Sequence, residues 1–169
     1  MIKKIAYLLL ASVLIIQFIR PEKNNSNDST YDISKKYDVP EEVAVILKKA
    51  CNDCHTNNTF YPWYANMQPV AWWLDEHIKD GKDDLNLSEF THLPIAVQHH
   101  KFEEIIEMID ENEMPLESYT YFGLHEEANL SPGEKTALTS WAKAQMDEIK
   151  SIYPADSLIM KRRRAKKQE

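Results

Sequence analysis

Glycine and cysteine are both scarce in this chain, with three glycines and two cysteines among 169 residues. So few glycines argue against a β sandwich or barrel, because the tight turns of those folds often need glycine. No segment alternates polar and apolar residues over the length of a strand. The sequence therefore predicts an all-α fold, with room for one modest domain and its tails.

Basic residues are few outside the C-terminal end. The net charge is −7, although six of the twenty Lys and Arg residues lie within positions 161–169. An acidic body excludes nucleic acid as the main partner and favours partner proteins with basic docking surfaces. Residues 154–169 are predicted to form a basic, solvated tail.

Long apolar runs are also rare, and the one that occurs lies near the N-terminus, from Ile5 to Ile19. It is shorter than the roughly 20 residues that span a bilayer and has the length of a signal-peptide core. With Lys3 and Lys4 before it, we interpret residues 1–21 as an uncleaved signal-anchor or transmembrane helix. Cleavage near Arg20 is the alternative. Both interpretations place the remaining chain on the periplasmic side of a bacterial inner membrane.

The rest of the chain divides by composition into a polar linker over residues 22–37 and a folded domain over residues 38–153. Apolar residues recur in this domain with helical spacing. The predicted helices begin near Asp38 and run to Cys51, extend from Pro69 to a stop at Gly81, cover residues 94–110, and open at Ser131 with a capping box.

Both cysteines fall in one short motif, Cys51-Asn52-Asp53-Cys54-His55. Two thiols at this spacing can add across the two vinyl groups of one haem, and the following imidazole then becomes the proximal iron ligand. A disulfide, a thioredoxin-like redox pair and a zinc site are the alternatives. A disulfide across so short a loop would constrain little, the redox pair needs strands, and zinc needs further ligands.

The distal iron ligand is less determined by the sequence. Met114 is the leading candidate, because it precedes Pro115 in a polar loop and a thioether ligand suits electron transfer. His77 is the alternative, since it lies on the apolar stripe of its predicted helix. The remaining histidines are weaker candidates: His92, His99, His100 and His125.

A cluster of aromatic residues follows the cysteine motif. A haem is a large apolar plate, so we expect these side chains mainly to cover it and complete the core, with a small-molecule pocket as the alternative. The cluster comprises Phe60, Tyr61, Trp63, Tyr64, Trp72 and Trp73.

Over residues 43–144 the sequence resembles the bacterial haem-binding domain family, small exported proteins similar to single-haem c-type cytochromes. The matching motifs are Cys-x-x-Cys-His, Thr59-x-Tyr61-Pro62-Trp63-Tyr64, Pro69-x-x-Trp72-Trp73, Leu85-Asn86-x-Ser88-Glu89, Met114-Pro115-x-x-x-Tyr119 and Leu130-Ser131-x-x-Glu134. The resemblance implies a cytochrome-c-like helical fold and one covalent haem c held by Cys51, Cys54 and His55. It also implies Met114 as the distal ligand, but it supplies no reaction.

These features predict a membrane-tethered one-electron carrier that exchanges electrons with redox partner proteins, rather than an enzyme. A peroxidase-like haem enzyme and a haem-based redox or gas sensor are the alternative functions.

Overall fold

A computed structural model describes residues 1–160, and all regular structure within this range is helical. The α-helices are Ile2–Ile16 (α1), Glu41–Ala50 (α2), Asn52–His55 (α3), Val70–Asp84 (α4), Ile95–Asp110 (α5) and Pro132–Ile152 (α6). Short 3-10 helices cover Ile33–Lys35, Trp63–Asn66, Leu87–His92, Glu117–Tyr119, Tyr121–Gly123, Glu126–Ala128 and Ala155–Leu158. Since residues 1–160 contain no strand, the all-α prediction is confirmed. Residues 161–169, most of the predicted tail, lie outside the described residues.

The single domain predicted for residues 38–153 divides into two compact units. The first unit comprises residues 1–30 and 51–88, and the second comprises residues 31–50 and 89–160. Both units therefore include residues that precede position 38.

The first unit contains α1, α3 and α4. The inward face of α4 carries Ala71 and Ile78, seven residues apart and hence on one side of the helix. Much of the remaining buried set is polar, namely Asn57, Thr59, Gln68 and Ser88. Buried polar groups are stable only when they are hydrogen-bonded, so this unit depends on its hydrogen-bond network.

The second unit contains α2, α5 and α6 around an apolar core. Four rings form a chain of contacts, with centroid separations between 5.0 and 5.8 Å: Tyr37, Phe90, Phe102 and Trp141. Helix α6 begins with a complete capping box, in which Ser131 and Glu134 each accept a hydrogen bond from the other's backbone N–H. The helix starts predicted near Asp38, Pro69, Pro94 and Ser131 are all confirmed.

The predicted stop of α4 at Gly81 is wrong, because the helix continues to Asp84. Glycine is a common helix terminator, but a glycine inside a helix also allows another backbone to approach closely. Gly81 lies inside α4, and the backbone of Cys54 approaches it closely, which explains why this position is a glycine.

The segment predicted as a polar linker makes specific hydrogen bonds within each unit. In the first unit the backbone N–H of Asn27 donates to the Asn57 carbonyl at 3.1 Å, and the N–H of Thr59 donates to the Asn24 carbonyl at 3.0 Å. In the second unit Ile33 and Tyr37 are buried. Composition alone missed this order, because the segment gains it by pairing with distant residues.

The N-terminal apolar run forms α1, fifteen residues long with no buried residue. Of the helices in residues 1–160, none is long and apolar enough to cross a membrane. The predicted transmembrane anchor is therefore not confirmed.

Candidate haem site

Cys51 directly precedes the short helix α3 in the first unit, Cys54 is the third residue of that helix, and both are free thiols. Burial raises the pKa of the Cys51 thiol to about 12, with the neighbouring Cys54 as a second cause. Burial also raises the pKa of Cys54 to about 11, with the charge of Asp53 as a second cause. A thioredoxin-like pair requires a lowered thiol pKa, so these neutral thiols do not fit that alternative.

His55 ends α3, and one of its ring nitrogens has a fixed partner. The Nδ1 atom lies 2.9 Å from the carbonyl oxygen of Leu85, the residue that follows α4. A carbonyl oxygen only accepts hydrogen bonds, so Nδ1 carries the proton and donates it. In the neutral form of such a ring, Nε2 carries the lone pair with which an imidazole binds a metal.

Helix α4 approaches the cysteine motif closely at Gly81. A Cβ atom at this position would lie 2.9 Å from the carbonyl oxygen of Cys54 and 3.1 Å from its Cβ. Neither atom belongs to the flexible end of a side chain, so any larger residue would displace α3 or α4. Glycine at position 81 therefore allows the contact between α4 and the cysteine motif.

A buried amide, Asn57, ties the segment after the motif to the segment that contains Leu85. The backbone N–H of Asn57 donates to the Ser88 hydroxyl at 3.1 Å, and Asn86 donates from Nδ2 to the Asn57 side-chain oxygen at 3.0 Å. Asn57 also donates from Nδ2 to the Asp28 carbonyl at 3.0 Å. These bonds hold the chain on both sides of the His55–Leu85 contact.

The loop after the motif is closed by bonds to Asp53. The Thr59 hydroxyl donates to the Asp53 carbonyl at 2.5 Å, and the Phe60 N–H donates to its carboxylate at 2.9 Å. Asn24, from the predicted linker, donates from Nδ2 to the Thr56 carbonyl at 2.8 Å and to the Thr59 hydroxyl at 2.9 Å. The motif is thus fixed by three separate segments of the first unit.

The two leading candidates for a distal ligand lie in different units. His77 belongs to α4 in the first unit, where its Nδ1 donates to the Trp73 carbonyl at 2.8 Å and its ring lies 4.3 Å from that of Trp73. Met114 belongs to the second unit, in the loop after α5, where its N–H donates to the Met108 carbonyl at 3.2 Å. Its side chain is partly buried.

The four weaker histidine candidates all lie in the second unit. Both ring nitrogens of His100 face carboxylates, Glu103 at 3.1 Å and Glu104 at 3.2 Å. The ring of His125 stacks on Tyr119 at 4.3 Å. A carbonyl accepts from His92 at 2.7 Å. Burial lowers the pKa of His99, whose Nε2 is buried without a hydrogen-bond partner.

The aromatic cluster is less buried than a core would require. Trp63 is 74% exposed and Phe60 is 70% exposed, and Trp72 and Trp73 are also exposed. Tyr61 is tied down, since its hydroxyl accepts from the Asn24 N–H at 2.8 Å. The prediction that these side chains mainly cover a haem and complete the core stays a prediction.

The sequence reasoning did not identify Leu85, Gly81 or Asn57 as parts of the site. Leu85 acts through its backbone carbonyl, which leaves no signature of residue type. The Leu85-Asn86-x-Ser88 pattern was the available signal, and the contacts above give it a physical reason. Within residues 1–160, no group of three or more His, Cys, Asp or Glu side chains is arranged to hold a metal ion.

The haem-binding domain family matches residues 11–144. The chain belongs to this family and is a haem-binding protein. The match begins within α1 and includes the whole segment predicted as a linker. Neither the curated proteins nor the solved structures contain a match to the chain.

Proposed function

We propose that this protein binds one haem c covalently and serves as a one-electron carrier on the periplasmic side of a bacterial inner membrane. In this proposal Cys51 and Cys54 form thioether bonds, His55 is the proximal ligand, and Met114 is the distal ligand. A cytochrome-c-like arrangement around the haem is part of the proposal. A bound haem supplies a reversible Fe(III)/Fe(II) couple.

The hydrogen bond from His55 Nδ1 to the Leu85 carbonyl, at 2.9 Å, is the observation that carries the proposal. It selects the tautomer with a free Nε2 before any metal is present, so the ring does not need to exchange a proton to bind iron. A carbonyl partner of this kind also fixes the orientation of the ring and raises its basicity. A histidine with a purely structural role would have no need of a free Nε2.

The state of the two thiols supports covalent attachment. Each thioether forms when one S–H adds across one vinyl group, so both sulfurs must be reduced and unpaired. Cys51 and Cys54 are free thiols, and the raised pKa of each keeps the proton on sulfur at neutral pH. Gly81 and the bonds around Asn57 hold this motif in place on the first unit.

The N-terminus supports export. Lys3 and Lys4 precede the apolar run of α1, and every residue of this helix from Ile2 to Ile15 is exposed. This pattern is typical of a segment that directs a chain to the export machinery. The same segment would tether the protein if it is retained and would release it if it is cleaved near Arg20.

The haem assignment is tested by expressing the full chain with a periplasmic haem-attachment system. We expect a pyridine haemochrome spectrum that survives acid–acetone extraction, and we expect it to disappear in the double variant Cys51→Ala/Cys54→Ala. Haem that is extracted completely from the unaltered chain would contradict covalent attachment. Loss of haem in His77→Ala with retention in His55→Ala would contradict the proximal assignment.

The distal assignment is tested separately. In the oxidised protein, methionine coordination gives a weak absorption band at the red end of the visible spectrum, which Met114→Ala should abolish and His77→Ala should leave in place. If Met114→Ala leaves the spectrum unchanged, Met114 is not a ligand. A high-spin resting spectrum with rapid turnover of peroxide would contradict the carrier and favour a haem enzyme.

A further inference from the structure

The loop that carries Met114 is anchored at both of its ends. At its start the Met114 N–H donates to the Met108 carbonyl, in the last turn of α5, at 3.2 Å. At its far end the short helix Glu126–Ala128 packs on α2, and the last residue of this helix is fully buried. Between these anchors the chain forms short turns, in one of which the Tyr119 N–H donates to the Leu116 carbonyl at 2.9 Å. Such a turn orders residues three positions apart, but it does not fix where the loop as a whole lies.

An aromatic stack joins the middle of this loop to its far anchor. The rings of Tyr119 and His125 have centroids 4.3 Å apart and are nearly parallel, with an interplanar angle of 6°. The His125 side chain is only 12% exposed, and its Nδ1 lies 3.4 Å from the Glu127 carboxylate. The His125 carbonyl accepts from the Ala128 N–H at 2.9 Å. The stack therefore connects the turn that follows Met114 to the segment that packs on α2.

The backbone of His125 lies in the left-handed region, with a φ of 50°. Residues other than glycine seldom adopt this conformation, because it costs free energy. It persists where the surrounding contacts determine it, and such positions are concentrated at functional sites. Glycine would adopt the same backbone without this cost, but it has no ring to stack on Tyr119. The ring at position 125 is therefore retained at the expense of a strained backbone.

We propose that the Tyr119–His125 stack holds Met114 in the position from which it binds the haem iron, and that His125 is a positioning residue rather than a ligand. This inference rests on the proposed distal role of Met114. The access of other ligands to the iron decides whether a haem protein transfers electrons or activates small molecules. While the loop is held, peroxide and other ligands must displace the thioether of Met114. The stack thus favours an electron carrier over a haem enzyme.

The test compares variants of the full-length, haem-loaded protein. His125→Gly removes one ring and relieves the backbone, Tyr119→Leu removes the other ring, and a third variant carries both substitutions. Tyr121→Leu, at an exposed tyrosine two residues from Tyr119, is the matched control. The readouts are the absorption band of methionine coordination, the affinity of the Fe(III) protein for imidazole, and the midpoint of urea denaturation. Imidazole binds the iron in place of the thioether, so its affinity reports how firmly Met114 is held.

We expect each single variant to weaken the band and to bind imidazole up to about tenfold more tightly, as the loss of one aromatic pair predicts. Tyr121→Leu should match the unaltered protein. The double variant should bind imidazole no more tightly than the stronger single variant, because both substitutions remove the same contact. Additive effects would overturn the inference. A lower urea midpoint with an unchanged band and an unchanged imidazole affinity would indicate a purely structural role and would also overturn it.

A conservative variant separates positioning from direct coordination. His125→Phe keeps a ring that can stack on Tyr119, so it should retain the absorption band that His125→Gly weakens. If His125 were itself the ligand, His125→Phe would lose the low-spin spectrum and Met114→Ala would keep it. That result would overturn the inference.

The proposed function fails in a distinguishable way. If Met114→Ala changes neither the band nor the imidazole affinity, Met114 is not the ligand, and the role of the stack at the iron is overturned with it. Amide hydrogen exchange of residues 116–120 still decides whether the stack orders the loop, because this measurement does not depend on the iron. Exchange should be severalfold faster in His125→Gly than in Tyr121→Leu. Equal exchange rates would overturn the stack as the contact that holds the loop.

Discussion

The two units of this protein are ordered by different interactions. The second unit buries long aliphatic side chains and packed aromatic rings, of which Phe90 and Phe102 are fully buried. The first unit buries Ile78 and Leu87 with small residues, and much of its buried surface is polar. An apolar core tolerates shifts of its members, whereas hydrogen bonds require fixed positions. Hydrogen bonds therefore fix the positions of the residues in the unit with the cysteine motif, whereas apolar packing stabilises the other unit.

The largest effect on stability is expected from a substitution of Phe102 in the second unit. Its ring contacts Tyr37, Phe90 and Trp141, so Phe102→Ala should remove a central side chain from the second unit. We expect a loss of about 3–5 kcal/mol in the free energy of unfolding, measured by urea denaturation. Ile152→Ala, at an exposed position of α6, is the control and should change it little. A small effect at Phe102 would mean that the ring cluster does not stabilise this unit.

The polar network of the first unit is tested at Asn57. Asn57→Ala removes the side-chain hydrogen bonds to the Asp28 carbonyl and the Asn86 amide. A hydrogen bond typically contributes about 1 kcal/mol, so the first unit should lose stability and haem attachment should decline. Asn58→Ala, the exposed neighbour, serves as the control. Equal haem yields from both variants, by pyridine haemochrome, would show that the network does not support the motif.

The contact between α4 and the cysteine motif is tested by comparing alanine substitutions at two glycines, Gly81 and Gly133. Gly81→Ala places a methyl group 2.9 Å from the Cys54 carbonyl oxygen and should cost about 1–3 kcal/mol, with a reduced haem yield. Gly133→Ala in α6 meets no atom within 4 Å and should be neutral or stabilising by up to about 1 kcal/mol. The readouts are urea denaturation and haem content. The same response from both glycines would contradict the packing account.

The smallest expected effect concerns the capping box of α6. Ser131→Ala should cost about 1 kcal/mol, whereas Ser140→Ala on the exposed side of the same helix should cost less. Bonds from Lys49 and Ser131 lower the pKa of Glu134 from 4.5 to about 2. A lowered folded-state pKa contributes stability that is fully present above the unfolded value of 4.5 and is lost as the pH falls through 2.

Glu134→Gln should therefore reduce the melting temperature near neutral pH, and the two melting curves should converge as the pH approaches 2. A difference that stays constant from pH 7 to pH 2 would show that the carboxylate charge contributes nothing.

The sequence was informative wherever local chemistry determines structure. The start of α6 follows from Ser131, Pro132 and Glu134, whose roles depend on neighbours within one turn. Gly81 misled the prediction because a glycine that ends a helix and one that admits a neighbouring backbone look alike in sequence. The order of residues 22–30 was missed because Asn24 and Asn27 form hydrogen bonds with residues 32 and 30 positions away in the chain.

The bond between His55 and Leu85 joins residues 30 positions apart in the chain, and this separation imposes an order on maturation. The chain is synthesised from its N-terminus, so Cys51, Cys54 and His55 are present before Leu85. Until α4 is complete, the Leu85 carbonyl is not in place to accept the hydrogen bond from Nδ1. The fixed orientation of the imidazole therefore depends on a segment that is added after the cysteine motif.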